Sequence, residues 1–168
     1  REVIAALANT SGPAYVRLGK GGERIVTDPG FIPGQIRVLR QGSRLLALTT
    51  GAIGHECLSA ADRLGADMVT VAHVPTVSPL DTEVVLELLR RHEVILVVEE
   101  HLPSGGLWTA IVEAAARRGY NRRIHQASLP EGFANAYGSQ RQHWQASGLN
   151  DEALARRMHQ LLEENAHG

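Results

Sequence analysis

Apolar and polar residues alternate with two different periods along most of the chain. Short runs rich in apolar and β-branched residues predict strands at residues 36–39, 45–49, 68–74, 94–98 and 123–127. Between them, apolar residues recur at helical spacing, which predicts helices over residues 53–64, from 78 onward, over 105–118 and after Asn150. Strands that alternate with helices are typical of βαβ units. We therefore expect an α/β fold, with three αβα layers built on a mainly parallel sheet.

One predicted helix start carries a specific sequence signal. Ser78 can act as the N-cap, Pro79 suits the first helical position, and Asp81 places a carboxylate in the first turn. The apolar face of this helix would then consist of Val84, Val85, Leu88 and Leu89. We therefore expect this helix to begin at Pro79.

The first 35 residues lack this regular alternation. Residues 2–8 predict the end of a helix, and alternation at residues 14–18 predicts a strand. A cluster of proline and glycine without periodicity then predicts a linker. Because the sequence begins at Arg1, we expect the C-terminal part of a longer or split protein. The predicted units are a remnant of another domain at 1–22, a linker at 23–35 and a complete α/β domain at 36–168.

Composition and charge narrow the class of protein. The 168 residues include 17 basic and 18 acidic side chains, for a net charge of −1, and no basic run favours nucleic-acid binding. No apolar run approaches the roughly 18 residues that a membrane span requires. The single cysteine, Cys57, excludes an internal disulfide and favours a reducing compartment. We expect a cytoplasmic protein without membrane or nucleic-acid partners.

A cluster of ionisable residues follows the predicted strand at 94–98. Glu99, Glu100 and His101 lie where ligands often bind in α/β sheets, and Gly105 and Gly106 open the next helix. One interpretation is a ligand site made of two carboxylates and an imidazole. The other is a loop that packs against another chain or domain. The spacing favours the second, because Glu-Glu-His matches no standard metal or acid–base arrangement.

A second candidate site lies near the N-terminus. Arg17 and Lys20 flank a glycine-rich turn after the strand predicted at residues 14–18. Consecutive amides and two cations suit an oxyanion such as phosphate, although the P-loop spacing is absent. A solvated connector with incidental charges is the equally plausible alternative.

Other motifs favour structural roles. The glycines at Gly51 and Gly54 form an incomplete dinucleotide fingerprint, so tight turn geometry explains them better. Cys57 lies on the apolar stripe of its helix and is predicted to be a core residue. We expect His73 to be a hydrogen-bonded core histidine. The histidines predicted to lie at the surface are His92, His125, His143, His159 and His167. We predict no catalytic residue and no metal ligand in this chain.

Several segments taken together resemble the transketolase family. They occur in the family's order and cover essentially the whole chain, so in combination they are fairly specific. They are residues 12–20 (GPAYVRLGK), 46–64 (LALTTGAIGHECLSAADRL), 79–81 (PLD), 98–101 (VEEH), 105–107 (GGL), 129–133, 138–139 and 148–149.

The resemblance implies a fold and an activity. Residues 1–22 would be the end of the pyrimidine-binding domain, and residues 36–168 the C-terminal domain. The complete enzyme would use thiamine diphosphate and Mg²⁺ to transfer a two-carbon ketol unit between sugar phosphates. The family's metal-binding and cofactor-activating residues belong to regions absent from this sequence, so no cofactor is expected on this chain alone.

The resemblance also implies roles for particular residues and partners. Arg17 and Lys20 would contact substrate phosphate, although family members commonly carry Arg at position 20, and Lys loses bidentate geometry. The Glu-Glu-His segment would lie at an interface. The expected partners are the N-terminal transketolase domains or subunit, together with a second copy of the chain. Leu107 and Trp108 would make a poor exposed surface, so either a homodimer or a contact with the missing domains is also expected.

Three alternatives remain open from the sequence. Two are related enzymes: 1-deoxy-D-xylulose-5-phosphate synthase, whose C-terminal domain carries similar motifs, and the beta chains of 2-oxo acid dehydrogenases. The third is a non-catalytic interaction or regulatory module that binds a partner or a small anion through the carboxyl edge of its sheet.

Overall fold

The computed structural model describes residues 2–19, 24–27, 30, 32–132 and 137–167. The helices are α1 (Glu2–Leu7), α2 (Gly54–Arg63), α3 (Thr82–Arg91), α4 (Leu107–Arg117), α5 (Gln140–Ala146) and α6 (Asp151–Ala166). The strands are β1 (Arg37–Arg40), β2 (Leu45–Thr49), β3 (Val69–His73), β4 (Val94–Val98) and β5 (Ile124–Ala127). Strands and helices alternate from β2 to β5, as the apolar pattern predicts.

The five strands form one sheet in the order β1-β3-β2-β4-β5. β2, β3, β4 and β5 run parallel, whereas β1 is antiparallel to β3 at one edge. All residues of β2, β3 and β4 are buried, as is typical of parallel strands covered on both faces. The predicted α/β fold with a mainly parallel sheet is confirmed.

Helices cover the two faces of the sheet and create two apolar cores. One core contains Ile53, Cys57 and Ala61 around α2 together with Leu154, Met158 and Leu161 from α6. The other contains Val85 and Leu89 from α3 together with Leu107 and Ile111 from α4. α2 and α4 follow the neighbouring strands β2 and β4 but lie on opposite faces. The connections therefore diverge at the carboxyl ends of these strands, where α/β proteins commonly bind ligands.

The strand predicted at residues 14–18 is wrong. This segment has no regular secondary structure, and Tyr15 and Leu18 are exposed. Alternating residues supply a suitable pattern, but a strand also needs a neighbouring strand for its backbone hydrogen bonds. No strand among the described residues pairs with this segment.

The predicted start of α3 is also wrong. The helix begins at Thr82, and the carboxylate of Asp81 accepts a hydrogen bond from the backbone amide of Val84 at 3.2 Å. Asp81 is therefore the N-cap, whereas Ser78 lies outside the helix. Ser and Asp are both good N-cap residues, so residue type alone does not distinguish Ser78 from Asp81.

One histidine predicted at the surface is buried instead. His92 follows α3 and is 3% exposed. Its Nδ1–H donates to the carbonyl of Leu88 at 2.8 Å, and its Nε2 lies 2.7 Å from the hydroxyl of Thr70. These two contacts give both ring nitrogens a hydrogen-bond partner. The imidazole can therefore be buried between the end of α3 and β3 without an unpaired polar atom.

The helices are short compared with the thickness of a bilayer. The longest described helix, α6, has 16 residues. Among the residues that the structure describes, no helix has the length and apolar character needed to cross a membrane.

Candidate functional site

Glu99 lies at the carboxyl end of β4 and turns its side chain into the protein. It is 1% exposed, and its carboxylate accepts hydrogen bonds from the backbone amides of Leu107 at 2.6 Å and Trp108 at 3.1 Å. These are the first residues of α4, whose amides have no partners within the helix. Glu99 therefore caps α4 from the preceding strand, and its negative charge is favoured by the helix dipole.

Gln126 of β5 completes this arrangement. Its side-chain amide donates to the Glu99 carboxylate at 3.1 Å and to the carbonyl of Pro103 at 2.8 Å. The loop between β4 and α4 is thereby tied to the neighbouring strand. Sequence reasoning missed Gln126, and its only signal was a polar residue near the end of a short strand.

The two glycines before α4 have different structural roles. A Cβ atom at Gly106 would lie 2.1 Å from the carboxylate oxygen of Glu99, so a larger residue requires the carboxylate or the start of α4 to shift. Gly105 has a φ angle of +80°, a conformation that glycine adopts readily. The close approach at Gly106 is made by Glu99 of the same chain. The carboxylate thus occupies the start of the helix, where the first of the two interpretations would place a ligand.

Glu100 and His101 have hydrogen-bond partners that differ from those of Glu99. The carboxylate of Glu100 accepts a hydrogen bond from the side-chain amide of Gln140 at 2.8 Å. His101 is exposed, and its Nδ1–H donates to the carbonyl of Leu102 at 2.9 Å. The three side chains of the Glu-Glu-His segment therefore have separate partners. Among the described residues, no group of three His, Cys, Asp or Glu side chains could hold a metal ion.

The structure brings Arg17 to this segment across 83 residues of sequence. Nη1 of Arg17 donates to the backbone carbonyl of Glu100 at 2.9 Å, and Arg17 is exposed. Within the described part of the chain this is its one hydrogen bond, and no carboxylate pairs with it. Lys20, the other predicted phosphate ligand, lies outside the described residues. Of the two predicted phosphate ligands, Arg17 thus contacts the Glu-Glu-His segment.

Four exposed apolar side chains lie close in the sequence to residues that contact Glu100 or neighbour it. Tyr15 and Leu18 flank Arg17, Leu102 follows His101, and Tyr137 precedes Gln140. We call Tyr15, Leu18, Leu102 and Tyr137 the apolar rim. Exposed apolar side chains that form a contiguous patch commonly mark a contact with another protein surface.

The apolar residues at the start of α4 do not belong to this rim. Leu107 is buried, and the indole nitrogen of Trp108 donates to the carbonyl of Ile124 at 3.0 Å. Both side chains pack within the domain, so they do not form an exposed surface that a homodimer or another domain would have to cover. The periodicity of a helix does not tell which of its apolar residues face the sheet of the same chain.

A second polar cluster lies at the carboxyl ends of β2 and β3. Thr49 is fully buried and His73 is 8% exposed. Among the described residues, neither the Thr49 hydroxyl, Nε2 of His55 nor either ring nitrogen of His73 has a hydrogen-bond partner. His73 is therefore a core histidine as predicted, but the prediction that it is hydrogen-bonded is wrong.

Burial determines the ionisation of His73. Loss of solvent lowers its pKa below the ordinary value of 6.5. The backbone of Gly51 opposes this shift, although its geometry falls short of a hydrogen bond, and the nearby His55 adds to the shift. The imidazole is therefore neutral near pH 7.

The remaining motifs have the predicted structural roles. Gly51 has a φ angle of +71°, and a Cβ at Gly54 would lie 2.7 Å from a methyl group of Val26. Turn geometry and close packing therefore explain both glycines. Cys57 is fully buried, and burial raises the pKa of its thiol to about 12. Such a thiol is neither a nucleophile nor a metal ligand at neutral pH.

The parallel sheet, the helices on both faces and the polar carboxyl edge define a three-layer α/β domain. The family model described as the transketolase C-terminal domain matches residues 34–154 of this chain. The chain therefore belongs to the transketolase C-terminal domain family, and the resemblance identified from the sequence is confirmed.

Two curated relatives show how much of a longer protein this chain represents. It is 30% identical over 158 residues to one subunit of the apulose-4-phosphate transketolase of Actinobacillus succinogenes, an alignment that covers 92% of this chain and 51% of that protein. It is 34% identical over 137 residues to 1-deoxy-D-xylulose-5-phosphate synthase of Nitrosomonas eutropha, covering 79% of this chain and 22% of that enzyme. The chain thus spans about half of the first relative and about a fifth of the second.

Solved structures support the same fold. A split-gene transketolase, described as an inactive beta4 tetramer, matches with a TM-score of 0.82 and 24% identity, covering 96% of this chain and 54% of that one. Transketolase from Campylobacter jejuni matches with a TM-score of 0.53 and 15% identity, covering 77% of this chain and 19% of that one.

Proposed function

We propose that this chain is the C-terminal part of a thiamine diphosphate-dependent transketolase that transfers a two-carbon ketol unit between sugar phosphates. The observation that carries the proposal is the family match over residues 34–154, together with a relative that is a transketolase subunit and aligns with 92% of the chain. The chain acts with the cofactor-binding part of the enzyme, which is either a separate subunit or an upstream region. Residues 1–22 are the last part of the pyrimidine-binding domain, and residues 36–168 form the C-terminal domain. Residues 23–35 are the linker between these two domains.

The cofactor binds outside this chain. The resemblance to transketolases implies that the residues that bind the diphosphate and its Mg²⁺ lie in the N-terminal parts of the enzyme, and no group of three His, Cys, Asp or Glu side chains among the described residues could hold a metal ion. Thiamine diphosphate supplies the carbanion chemistry of ketol transfer when it is bound in the complete enzyme. We expect calorimetric titration of thiamine diphosphate and Mg²⁺ into this chain alone to give no binding heat. Micromolar binding would contradict this assignment.

This chain contributes a substrate contact at its carboxyl edge. Arg17 is exposed and has no carboxylate partner among the described residues, so its charge is available to an anion. A guanidinium matches the geometry of a phosphate group and remains charged at every physiological pH. We assign Arg17, with Lys20, to the phosphate of the sugar substrate.

The apolar rim is the proposed contact with the rest of the enzyme. Tyr15 is 90% exposed and Leu18 is 70% exposed on either side of Arg17. Burial of these side chains against the cofactor-binding part would enclose the substrate phosphate between two surfaces. The resemblance to transketolases implies that the complete assembly contains two copies of this chain. The free thiol of Cys57 is consistent with a cytoplasmic enzyme.

A second candidate is a synthase that uses pyruvate as donor. The 34% identity to 1-deoxy-D-xylulose-5-phosphate synthase favours it, since this exceeds the identity to the transketolase subunit. The share of each relative that is covered favours the first candidate, because the chain matches 51% of the transketolase relative and only 22% of the synthase.

Substrate choice distinguishes these functions. The complete enzyme is purified with thiamine diphosphate and Mg²⁺ and assayed with D-xylulose 5-phosphate or with pyruvate, each with an aldose phosphate acceptor. We expect ketol transfer from the ketose phosphate. Turnover of pyruvate instead would favour the synthase or a 2-oxo acid dehydrogenase. The absence of turnover with either donor would favour a non-catalytic interaction module.

A further inference from the structure

Glu100 connects two segments that are far apart in the sequence. Its backbone carbonyl accepts a hydrogen bond from Nη1 of Arg17 at 2.9 Å, and its carboxylate accepts one from the side-chain amide of Gln140 at 2.8 Å. Arg17 belongs to the N-terminal segment, whereas Gln140 begins α5. Glu100 therefore contacts both segments at the carboxyl edge of the sheet.

The hydrogen bond from Arg17 orients the guanidinium without neutralising it. A guanidinium has five N–H donors in one plane, so a bond from Nη1 to a fixed carbonyl limits the directions of the other donors. A carbonyl is neutral, whereas Asp151 pairs with Arg63 at 2.6 Å and offsets its charge. Arg17 is thus held in place with its full positive charge available.

The carbonyl that holds Arg17 is itself fixed by its neighbours. On one side, the Glu99 carboxylate is buried against the first turn of α4. On the other side, the carbonyl of His101 accepts the backbone amide of Leu129 at 2.9 Å. The side chain of Gln140 adds a third restraint through the Glu100 carboxylate. Three contacts therefore restrict the peptide that contacts Arg17.

We infer that Glu100 and Gln140 are positioning residues that orient Arg17 toward the phosphate of the substrate. This inference rests on the proposed function, in which Arg17 binds that phosphate. Neither residue touches the substrate itself. Their loss therefore weakens recognition of a phosphorylated acceptor and leaves the reaction of an unphosphorylated one unchanged.

The test compares two acceptors in the complete enzyme, with hydroxypyruvate as donor. The KM values for D-ribose 5-phosphate and D-ribose are measured for Glu100→Ala, Gln140→Ala and Arg17→Ala. Loss of one hydrogen bond is expected to raise the KM for D-ribose 5-phosphate about fivefold in the first two variants. Loss of the guanidinium itself is expected to raise it about 30-fold or more. The kcat with either acceptor and the KM for D-ribose are expected to stay within about twofold of the wild-type values, since no lost contact involves the reacting carbons.

Two controls separate positioning from a general structural effect. Gln145→Ala changes an exposed residue of α5 that lies outside the contacts around Glu100, and it should leave all KM values unchanged. Glu100→Gln keeps an oxygen that can accept from Gln140 and should recover most of the affinity for D-ribose 5-phosphate.

The outcomes distinguish a failure of the positioning inference from a failure of the proposed function. If Arg17→Ala impairs only the phosphorylated acceptor while Glu100→Ala and Gln140→Ala do not, the positioning inference is overturned and the proposed function stands. If all three variants impair both acceptors equally, their role is structural and the inference is overturned. If Arg17→Ala leaves the preference for D-ribose 5-phosphate intact, Arg17 does not bind the phosphate, and both assignments fail.

Discussion

The carboxylate of Glu99 lies 2.6 Å from the backbone amide of Leu107, which joins the end of β4 to the beginning of α4. The two residues are only eight positions apart, so the contact closes the loop between the strand and the helix. Because the carboxylate is buried, its charge is compensated by the helix amides and by Gln126 rather than by water. The conformation of the Glu-Glu-His segment therefore depends on a side chain that faces the interior.

Replacement of Glu99 is expected to destabilise the domain substantially. Glu99→Ala leaves the amides of Leu107 and Trp108 buried without acceptors and should lower the free energy of unfolding by about 2–4 kcal/mol. Urea denaturation followed by circular dichroism measures the change. Glu113→Ala on the exposed face of α4 is the matched control and should change stability by less than about 0.5 kcal/mol. Equal stabilities of the two variants would refute the capping role.

Gly106→Ala tests the close approach of Glu99. The added methyl would lie 2.1 Å from the carboxylate oxygen, so either the carboxylate or the start of α4 must shift. We expect a loss of about 1–3 kcal/mol in the same urea experiment. At Gly138 a methyl would lie 3.2 Å from the side-chain oxygen of Gln142, a much smaller overlap, and Gly138→Ala should cost less than about 1 kcal/mol. A stable Gly106→Ala variant would show that the site has room for a side chain.

The sequence was sufficient for the fold but not for the contacts that form the site. Strand and helix order follows from apolar periodicity, and the run at 94–98 matches β4 in full. Periodicity does not report hydrogen-bond partners between distant segments. Hence the inward turn of Glu99, the support from Gln126 and the bond from Arg17 to Glu100 were not predictable. The strand expected at residues 14–18 failed for the same reason, since its pattern carried no information about a partner.

The buried imidazole of His73 should make stability depend on pH. Its pKa is lowered in the folded state, so the unfolded chain binds a proton first as the pH falls below 6.5. The contribution of His73 to the free energy of unfolding is therefore constant above about pH 6.5. It declines as the pH falls below 6.5 and becomes constant again below the pKa of His73 in the folded state. His125, whose pKa is also lowered by burial, contributes in the same direction.

A substitution isolates this contribution. His73→Leu removes the titrating group, and thermal unfolding between about pH 5 and pH 7.5 should show a shallower decline on the acidic side than in the wild type. His159→Gln, at an exposed position of α6, should retain the wild-type profile. The account of His73 is wrong if the two variants have the same slope.

Cys57 should be chemically silent in the folded protein. Its thiol is fully buried, and its pKa is raised to about 12, so almost no thiolate exists at neutral pH. Iodoacetamide followed by mass spectrometry should detect no modification under native conditions and complete modification in urea. Rapid labelling without denaturant would show that α2 opens readily from the sheet.

We propose above that this chain completes a transketolase whose cofactor is bound elsewhere. The most direct measurement is ketol transfer from D-xylulose 5-phosphate to D-ribose 5-phosphate, with thiamine diphosphate and Mg²⁺ present throughout. It is made with this chain alone, with the cofactor-binding part alone and with both together. We predict turnover only when both are present. Turnover by either part alone, or none in the combination, would contradict the claim.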